Sequence, residues 1–414
     1  MAIRAAMHQL GGVLLEKLLN ADGGGHQGAH IDCGQGHQAE FVDYRRKKIV
    51  TVLAPVEVVR AYYHCAACHG GKIPKDEELD IAGTSLSPGV RRMIGHVGGK
   101  EPFDQGHVDL EILAGITVKT KQVERVAEAI GHQVEAIAQT GRALALSGKV
   151  VPFNQPVPKL YIAIDGTGVP VVPAETEGRT GKDESGKAKT REAKLGCVFT
   201  QSKVDAKGFP IRDEASTSYV GAIETAEVFG PRIYAEALRR GLRQADQVIV
   251  LGDGAPWIWG IATEYFPFAI QCVDLYHARQ HLAELGKAAC GPHSIEARQW
   301  SDSRSGELDA SDVEAVIDSM KQIEPRDDHA RDEIRKAMDY FEKNKERMRY
   351  ASFRSQGLFV GSGVMEAGCK TIAGQRLKPS GMRWTVSDAN KIIALRCCQL
   401  SGRWEEFREE RSAG

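Results

Sequence analysis

Apolar positions along this chain switch between the 3.6-residue period of helices and the alternation or short runs of strands. The first 20 residues mix apolar positions with Arg4, Glu16 and Lys17, as in an amphipathic helix, and Gly23-Gly24-Gly25 stops it. Ile49–Leu53 and Val56–Tyr63 flank Ala54-Pro55, which predicts a hairpin. Residues 87–147 read as helices, the first opened by Ser87-Pro88 with proline in its first turn. Asn154-Gln-Pro-Val-Pro158 is a proline-marked linker. Beyond it, strands are predicted near 160–165, 191–200, 215–221, 247–252 and 268–273, with helices at 224–243, 256–264 and 275–289. Much of 294–350 has a helical pattern with a polar break near 301–311, and helices near 362–373 and 385–401 close the chain. The expected organisation is α/β. An N-terminal helix (1–27), a β module (28–80) and a helical segment (81–150) precede a core in two parts (155–290 and 356–410), split by a helical insertion (291–355).

With 414 residues, 42% hydrophobic and 26% charged, the composition is that of an ordered, multi-domain globular protein. No run of 18 apolar residues exists, so no transmembrane helix is expected, and the N-terminal helix does not have the pattern of a signal peptide. A cytoplasmic location follows as the expectation, and there nine reduced cysteines favour metal sites over disulfides. A net charge of −1 argues against a simple nucleic-acid binder, yet distribution matters more than the sum. Residues 361–403 hold seven Lys or Arg against Glu366 and Asp388, while 302–346 is rich in Asp and Glu. Either a basic face or a mixed, solvated surface is compatible with that pattern.

Cys65-Ala-Ala-Cys68 is a C-x-x-C knuckle, and Cys33-Gly-Gln-Gly-His37 lies upstream of it. Cys33, His37, Cys65 and Cys68 are four soft or borderline ligands of the kind tetrahedral Zn²⁺ takes, and the intervening hairpin would bring the pairs together. His30, His64 and His69 compete as ligands, and two chance thiols in a hairpin are the bland alternative. A redox dithiol would need a βαβ context that is missing here. Asp109–Ala114, Gly115-Ile-Thr117 and Lys119–Ile130 read as helix, turn, helix, with Thr117 placed to cap the second helix. Lys119, Lys121 and Arg125 would then point outward from a recognition helix, or the pair is an ordinary helical hairpin packing its own core.

Three acids carry the candidate chemistry. Asp165 closes the apolar run from Leu160, Asp253 closes the run from Val248, and Glu366 sits in Gly361–Lys370, which reads as a helix start with Ser362 as N-cap. Two Mg²⁺ ions (or Mn²⁺) about 4 Å apart need several carboxylates converging from separate elements, and adjacent parallel strands end at one sheet edge. A strand-end aspartate can also be a plain turn former. Asp274-Leu-Tyr-His277 follows the next apolar strand; the pair could orient a substrate or simply cap the helix that begins there. Trp257 and Trp259 fit core packing better than base stacking.

With those residues in place, the chain resembles the DDE transposases of the ISKra type of bacterial insertion sequence. The matching stretches are Ala163–Pro170, Arg191–Gly196, Gly252–Trp259, Val273–Leu282, Gly361–Thr371 and Gln375–Trp384. The resemblance spans residues 30–407 and implies an RNase H-like core with Asp165, Asp253 and Glu366 as the metal-binding triad. It implies a helical insertion between Asp253 and Glu366, where 112 residues intervene. It also implies a C/D-x-x-H signature at Asp274 and His277, and DNA-end-binding modules in the N-terminal Cys/His and helical segments. Transposase zinc modules often carry a second C-x-x-C, which Cys33 and His37 replace here. Lys370, Arg376, Lys378 and Arg383 would neutralise DNA phosphates beside the site, and Trp384 would either stack on an unpaired base or pack in the core. The expected partners are double-stranded DNA, as terminal repeats and target, and a second copy of the chain. An inactive DNA-end-binding regulator or a domesticated element is the alternative. A haloacid-dehalogenase-like phosphohydrolase would need a nucleophilic aspartate two residues before Asp165, where Ala163 stands.

Overall fold

The computed structural model describes residues 2–149, 155–181 and 188–413. They form two compact units, Met1–Ile130 and Gly131–Gly414. The division falls inside a 27-residue helix, Thr120–Leu146, so the segment 81–150 expected from the sequence is shared between the units. Of the proline-marked linker, position 154 lies outside the described residues, and Val157 and Pro158 already belong to a strand.

In the first unit, helix Ala2–Leu19 lies against an antiparallel sheet of β1 (His30–Asp32), β2 (Gln38–Val50), β3 (Pro55–His64) and β4 (Gly71–Lys72), in that order. The predicted hairpin is β2–β3. Its turn closes on Thr51, whose hydroxyl donates to the Ala54 carbonyl (2.7 Å) and accepts from the Leu53 and Ala54 amides. Ile49, Val56, Val58 and Ile81 make the core under the helix, joined by Leu15 and Leu19.

Helices Pro88–Lys100 and Phe103–Asp109 follow, the first capped by Ser87, whose Oγ accepts from the Val90 amide. The second widens into a π-turn over Leu110–Ala114 and ends at Gly115, whose φ of 70° suits a residue without a Cβ. The next helix starts at Thr120, three residues beyond the expected Thr117 cap. Its first turn is closed by the Gln122 side chain, which accepts from the Lys119 amide. Val90, Ile94, Leu110, Ile116, Val118 and Val123 form the shared core of these helices. They pack as a helical cluster on their own interior, and Lys119, Lys121 and Arg125 remain on the exposed side.

The second unit is built on a mixed five-stranded sheet of β5 (Val157–Pro170), β6 (Thr190–Gln201), β9 (Ser218–Ala222), β10 (Ala245–Gly252) and β11 (Ile270–Val273). Between β6 and β9 lies a small ribbon of β7 (Lys203–Val204) and β8 (Pro210–Ile211). The order across the sheet is β11-β10-β5-β6-β9. The long β5 is central, parallel to β10 and antiparallel to β6, and β10 and β11 are parallel. Helices Ala226–Arg239, Pro256–Tyr265, Leu275–Cys290 and Val386–Leu400 flank the sheet.

The insertion is helical, as expected, with helices Ile295–Asp309, Val313–Lys321 and Asp328–Asn344. The polar stretch expected to break it is mostly inside the first of these. Ser294 caps that helix, the Arg304–Glu307 pair lies along it, and the break falls at 310–312. Among the described residues, no helix is long and apolar enough to cross a membrane.

Candidate active site and metal centre

Strand register sets the candidate active site. On β5 and β10 the partners run Val250↔Ile162 and Leu251↔Ala163, so two further steps along that register bring Asp253 level with Asp165. On β10 and β11 the last pair is Gly252↔Val273, which puts Asp274 level with Asp253. Three aspartates thus form a rank across neighbouring parallel strands, which lie about 4.8 Å apart.

Asp165 does not end its strand, contrary to the sequence expectation. β5 continues to Pro170 because β6 keeps pairing with it, to Pro170↔Thr190, after β10 has stopped at Gly252. The glycines at 166 and 168 leave space on the opposite face, where Glu192 and Thr190 close over them. Asp165 is half-buried. Its Oδ1 accepts from the Gly166 amide (2.7 Å), and its Oδ2 accepts from the Cys369 thiol (3.2 Å). Burial pushes its carboxyl above the ordinary range and the nearby charge of Asp253 adds to this, while the Cys369 and Gly166 bonds and His277 oppose it. Burial likewise raises the Cys369 thiol, so it stays protonated and donates.

Asp253 heads a tight turn in which its Oδ1 accepts from the Ala255 amide (2.9 Å). Gly254 follows at φ 103°, and a Cβ there would sit 2.4 Å from the Tyr340 ring. Tyr340 comes from the insertion helix Asp328–Asn344. Its hydroxyl donates to the Asp253 carbonyl (2.9 Å), and its ring lies 4.1 Å from that of His281. His277 and His281 are one turn apart on helix Leu275–Cys290, and both are close enough to the aspartates for their charges to be felt.

Asp274 is buried and fully engaged. Its Oδ1 accepts from the Tyr276 and His277 amides (2.7 and 3.0 Å), capping the helix, and its Oδ2 accepts from the Ser362 amide. Its own amide donates to Gly252 (2.7 Å). Of the two roles open in the sequence it performs the capping one, and it ties the strand before Asp253 to the start of the Glu366 helix.

Glu366 lies on helix Gly363–Cys369, which packs across β5 and β6 and widens into a π-turn over Lys370–Gly374. Ser362 stands at the N-cap position, but its side chain makes no capping bond, while its backbone amide is held by Asp274. Glu366 is exposed and accepts from Lys370 (2.7 Å). It is not gathered with the two aspartates, although Cys369, three residues on and therefore on the same helix face, touches Asp165.

The basic residues expected around the site divide into two groups. Lys370, Lys378 and Arg383 are exposed, and Lys378 reaches Thr167, two residues from Asp165 (2.6 Å). Arg376 is fully buried with its guanidinium 5.2 Å from the ring of Trp384, and Arg396 is buried as well. Trp384 is buried too, donating from Nε1 to the Leu377 carbonyl and bridging to Val171. Arg376 and Trp384 are therefore internal packing in this structure, which corrects the expectation of a DNA-facing group at Arg376 and takes the core-packing alternative at Trp384. The sequence reading missed Cys369, Tyr340 and His281 as site residues. Cys369 carries a signal, its position one turn after Glu366, whereas nothing in sequence links Tyr340 to Asp253.

Among the described residues, the one group of three or more His, Cys, Asp or Glu side chains close enough to hold a metal ion is Cys33, His37, Cys65 and Cys68. Their ligand atoms all lie within 4.8 Å of one another. Strand pairing explains the convergence. The Cys33 amide donates to the His37 carbonyl in the turn between β1 and β2, and the Cys65 amide donates to Gly70 in the turn between β3 and β4. Both turns therefore project from the same end of the sheet. The Cys68 backbone amide holds the Cys65 thiol below its ordinary range, while the neighbouring Cys65 sulfur raises Cys68. His30 instead faces Glu40 at 3.7 Å. Three thiolates and an imidazole at these spacings suit Zn²⁺.

No known family matches the chain, and no curated protein is similar to it. Among solved structures it is similar to the strand transfer complex of the Drosophila P element transposase, at 10% identity and a TM-score of 0.21. That likeness covers 61% of this chain and 66% of that one. It is also similar to NurA with manganese, at 12% identity and a TM-score of 0.10, over 70% of this chain and 64% of that one. The chain thus spans just under two thirds of either protein, and overlaps this loose fix neither fold nor function.

Proposed function

We propose that this chain is a DDE transposase of the kind its motifs resemble, binding the ends of its own element and cutting and joining DNA there. The observation that carries the reading is the rank of Asp165 and Asp253 on neighbouring parallel strands, with the Glu366 helix laid over Asp165 through Cys369. A central β5 paired antiparallel with β6 and parallel with β10 supports an RNase H-like core.

The donor set fits Mg²⁺ or Mn²⁺. Carboxylate oxygens are hard ligands, and the repulsion that helps raise Asp165 is what a divalent cation between Asp165 and Asp253 would relieve. Asp165, Asp253 and Glu366 would be the residues to hold it, which would require Asp165 Oδ2 to give up the Cys369 thiol and Glu366 to give up Lys370. Two such ions, when bound, supply an activated oxygen nucleophile and stabilise the leaving oxygen of a phosphodiester. The chain's own residues do the rest. Asp274 and Tyr340 fix the loops that carry the acids, while Lys370, Lys378 and Arg383 offer exposed charge to DNA phosphates. The Cys33, His37, Cys65 and Cys68 quartet would hold Zn²⁺ and stiffen a module that grips the element end together with Lys119, Lys121 and Arg125. A bacterial cytoplasm, beside the nucleoid, is the matching location.

The exposed Glu366 and its bond to Lys370 favour one second reading, a DNA-end-binding regulator without cutting activity. Incubation of the protein with Mg²⁺ or Mn²⁺ and DNA bearing the element's ends separates the two. Under the main reading the wild type nicks the ends, and Asp253→Ala loses at least 100-fold in rate while binding them normally, the order expected for losing charge stabilisation at a reacting centre. Specific binding without nicking by the wild type would favour the regulator. Undiminished cutting by Asp253→Ala would remove the triad from the mechanism.

A further inference from the structure

Among the described residues, the second unit holds a cavity of about 590 Å³. It lies between the end of helix Thr120–Leu146, helix Ala226–Arg239, β9 and the helices Val386–Leu400 and Trp404–Ala413. That volume is within the ~300–1,000 Å³ of small-molecule sites. Helix Thr120–Leu146 lines it with Val134, Ile137, Ala138, Gly141 and Ala145, an apolar stripe at helical spacing. The stripe is fixed at both ends, Ala145 against Ala235 and Leu238, and the neighbouring Glu135 against Arg232 (2.8 Å). Between them Gly141 leaves room, since a Cβ there would meet nothing within 4 Å. Leu144 also lines the cavity and is 47% exposed.

The polar lining is unevenly charged. On one side Arg142 and Arg232 are balanced by Glu135 and Glu224, with bonds of 2.8 to 3.0 Å. On the other, three arginines ring Glu236, Arg239 at 3.2 Å, Arg403 at 3.3 Å and Arg240 at 3.9 Å. Glu406, 3.8 Å from Arg239, is the second acid there, so one positive charge is left over. Lys149, exposed on the same cavity, has the same sign. Arg403 reaches Glu236, Ser401 Oγ and the Tyr219 carbonyl through Nη2, at 3.3, 3.4 and 3.5 Å, while its Nε is buried without a partner. The outer edge of β9 adds a backbone donor. Strand alternation points the amides of residues 219, 221 and 223 away from β6. Tyr219 donates to Ser401 Oγ (2.8 Å) and Ile223 to Asn390 Oδ1 (2.7 Å). Gly221, buried between them on the cavity wall, has no side chain over its amide among the described residues.

We infer that this cavity binds a monocarboxylate with an apolar body, the size of a medium-chain fatty acid. A single carboxylate matches the one surplus charge, and Arg403 Nε and the Gly221 amide are the donors on that wall still open to its oxygens. The body lies along the apolar stripe of helix Thr120–Leu146 and covers Leu144. The same lining selects against other occupants. A cation would meet the arginines around Glu236, and a phosphate monoester brings about two negative charges against one. An added β-strand would need the β9 edge free, and Ser401 and Asn390 occupy it on either side of Gly221.

Binding alone tests the site, so the outcome does not depend on the chemistry assigned to Asp165, Asp253 and Glu366. Decanoate, kept below its micellar concentration, is titrated into the zinc-loaded full chain in a calorimeter, and one decanoate binds per chain. Decanol, which has the body without the charge, and inorganic phosphate, which has charge without the body, each bind at least ~10-fold more weakly. Arg403→Lys keeps the charge beside Glu236 but removes the Nε donor, and weakens decanoate by about 10-fold. Gly141→Phe fills the open space in the wall and abolishes saturable binding, with unchanged far-ultraviolet circular dichroism. No saturable binding by the folded wild type, decanol or phosphate binding as tightly as decanoate, or undiminished binding by either variant overturns the inference.

Discussion

Two carboxylates in the second unit are held in opposite electrostatic settings. Burial and the charge of Asp253 raise the Asp165 pKa, so the folded state prefers its protonated form. Any stability it gives is present below its ordinary value of 3.8 and is lost as pH rises through the higher folded value, so at neutral pH the ionised group costs stability. Asp165→Asn is therefore expected to raise neutral-pH stability in the absence of divalent ions, by roughly 0.5–2 kcal/mol, with the gain fading as pH falls toward 4. Urea titrations at the two pH values measure it, and equal or lower stability of the variant at pH 7 would refute it. Glu236 is the mirror case. Burial alone would raise it, but Arg403 and Arg239 outweigh that and hold it at about 2 against an ordinary 4.5. Its contribution is intact above pH 4.5 and is lost as pH falls toward 2, so the destabilisation caused by Glu236→Gln, about 3 kcal/mol or more, should shrink over that window. Asp165 and Asp253 were legible in the sequence because an apolar run closed by Asp-Gly is a strong local pattern, although β5 runs on past Asp165. The partners that tune them, Cys369 and Arg403, lie 204 residues beyond Asp165 and far along the chain from Glu236, where no local pattern reaches.

Elements were read well where a single period dominated. The β2–β3 hairpin, the alternating strands and helices of the second unit and the helical insertion all follow from apolar spacing. Misreadings arose where a local rule competed with a distant partner. Asp165 reads as a strand end, but β6 carries the strand onward to Pro170. Thr117 reads as a cap, but the helix begins only at Thr120, with Ile116 and Val118 buried in the core before it. Tyr340 is a link between elements, joining the insertion to the turn of Asp253. Tyr340→Phe removes only the hydroxyl bond and keeps the ring against Gly254 and His281. Under the proposed chemistry it should lower the cutting rate several-fold and raise the Mg²⁺ concentration needed for half-maximal rate, with end binding unchanged. An unaltered Mg²⁺ requirement would make Tyr340 a packing residue and nothing more.

At the scale of the molecule, composition anticipated an ordered chain of several parts, but charge patterning overstated its basic surface. Of the seven cations in 361–403, Arg376 and Arg396 are interior, and Lys391 pairs with Asp388. Linear counting cannot separate a guanidinium that faces DNA from one packed against Trp384. The two-unit organisation has a direct test through the metal centre. Chelating zinc should loosen the first unit around residues 30–72 while leaving the five-stranded sheet intact. Hydrogen exchange should then rise in β1–β4 and stay low in β5, β6 and β10. Equal loss of protection in both units would mean they do not fold independently, and no change in either would mean the quartet holds no structural metal.

The Tyr340 bond also has a temporal side. A ribosome makes Asp253 first, Tyr340 eighty-seven residues later, and Glu366 after that. Until the insertion has been synthesised and folded, the turn that presents Asp253 lacks its anchor, and the third acid does not yet exist. Under the proposed chemistry, a chain cut short before Glu366 is harmless to the chromosome that encodes it, because assembly of the cutting site waits for the insertion and the helix that follows it.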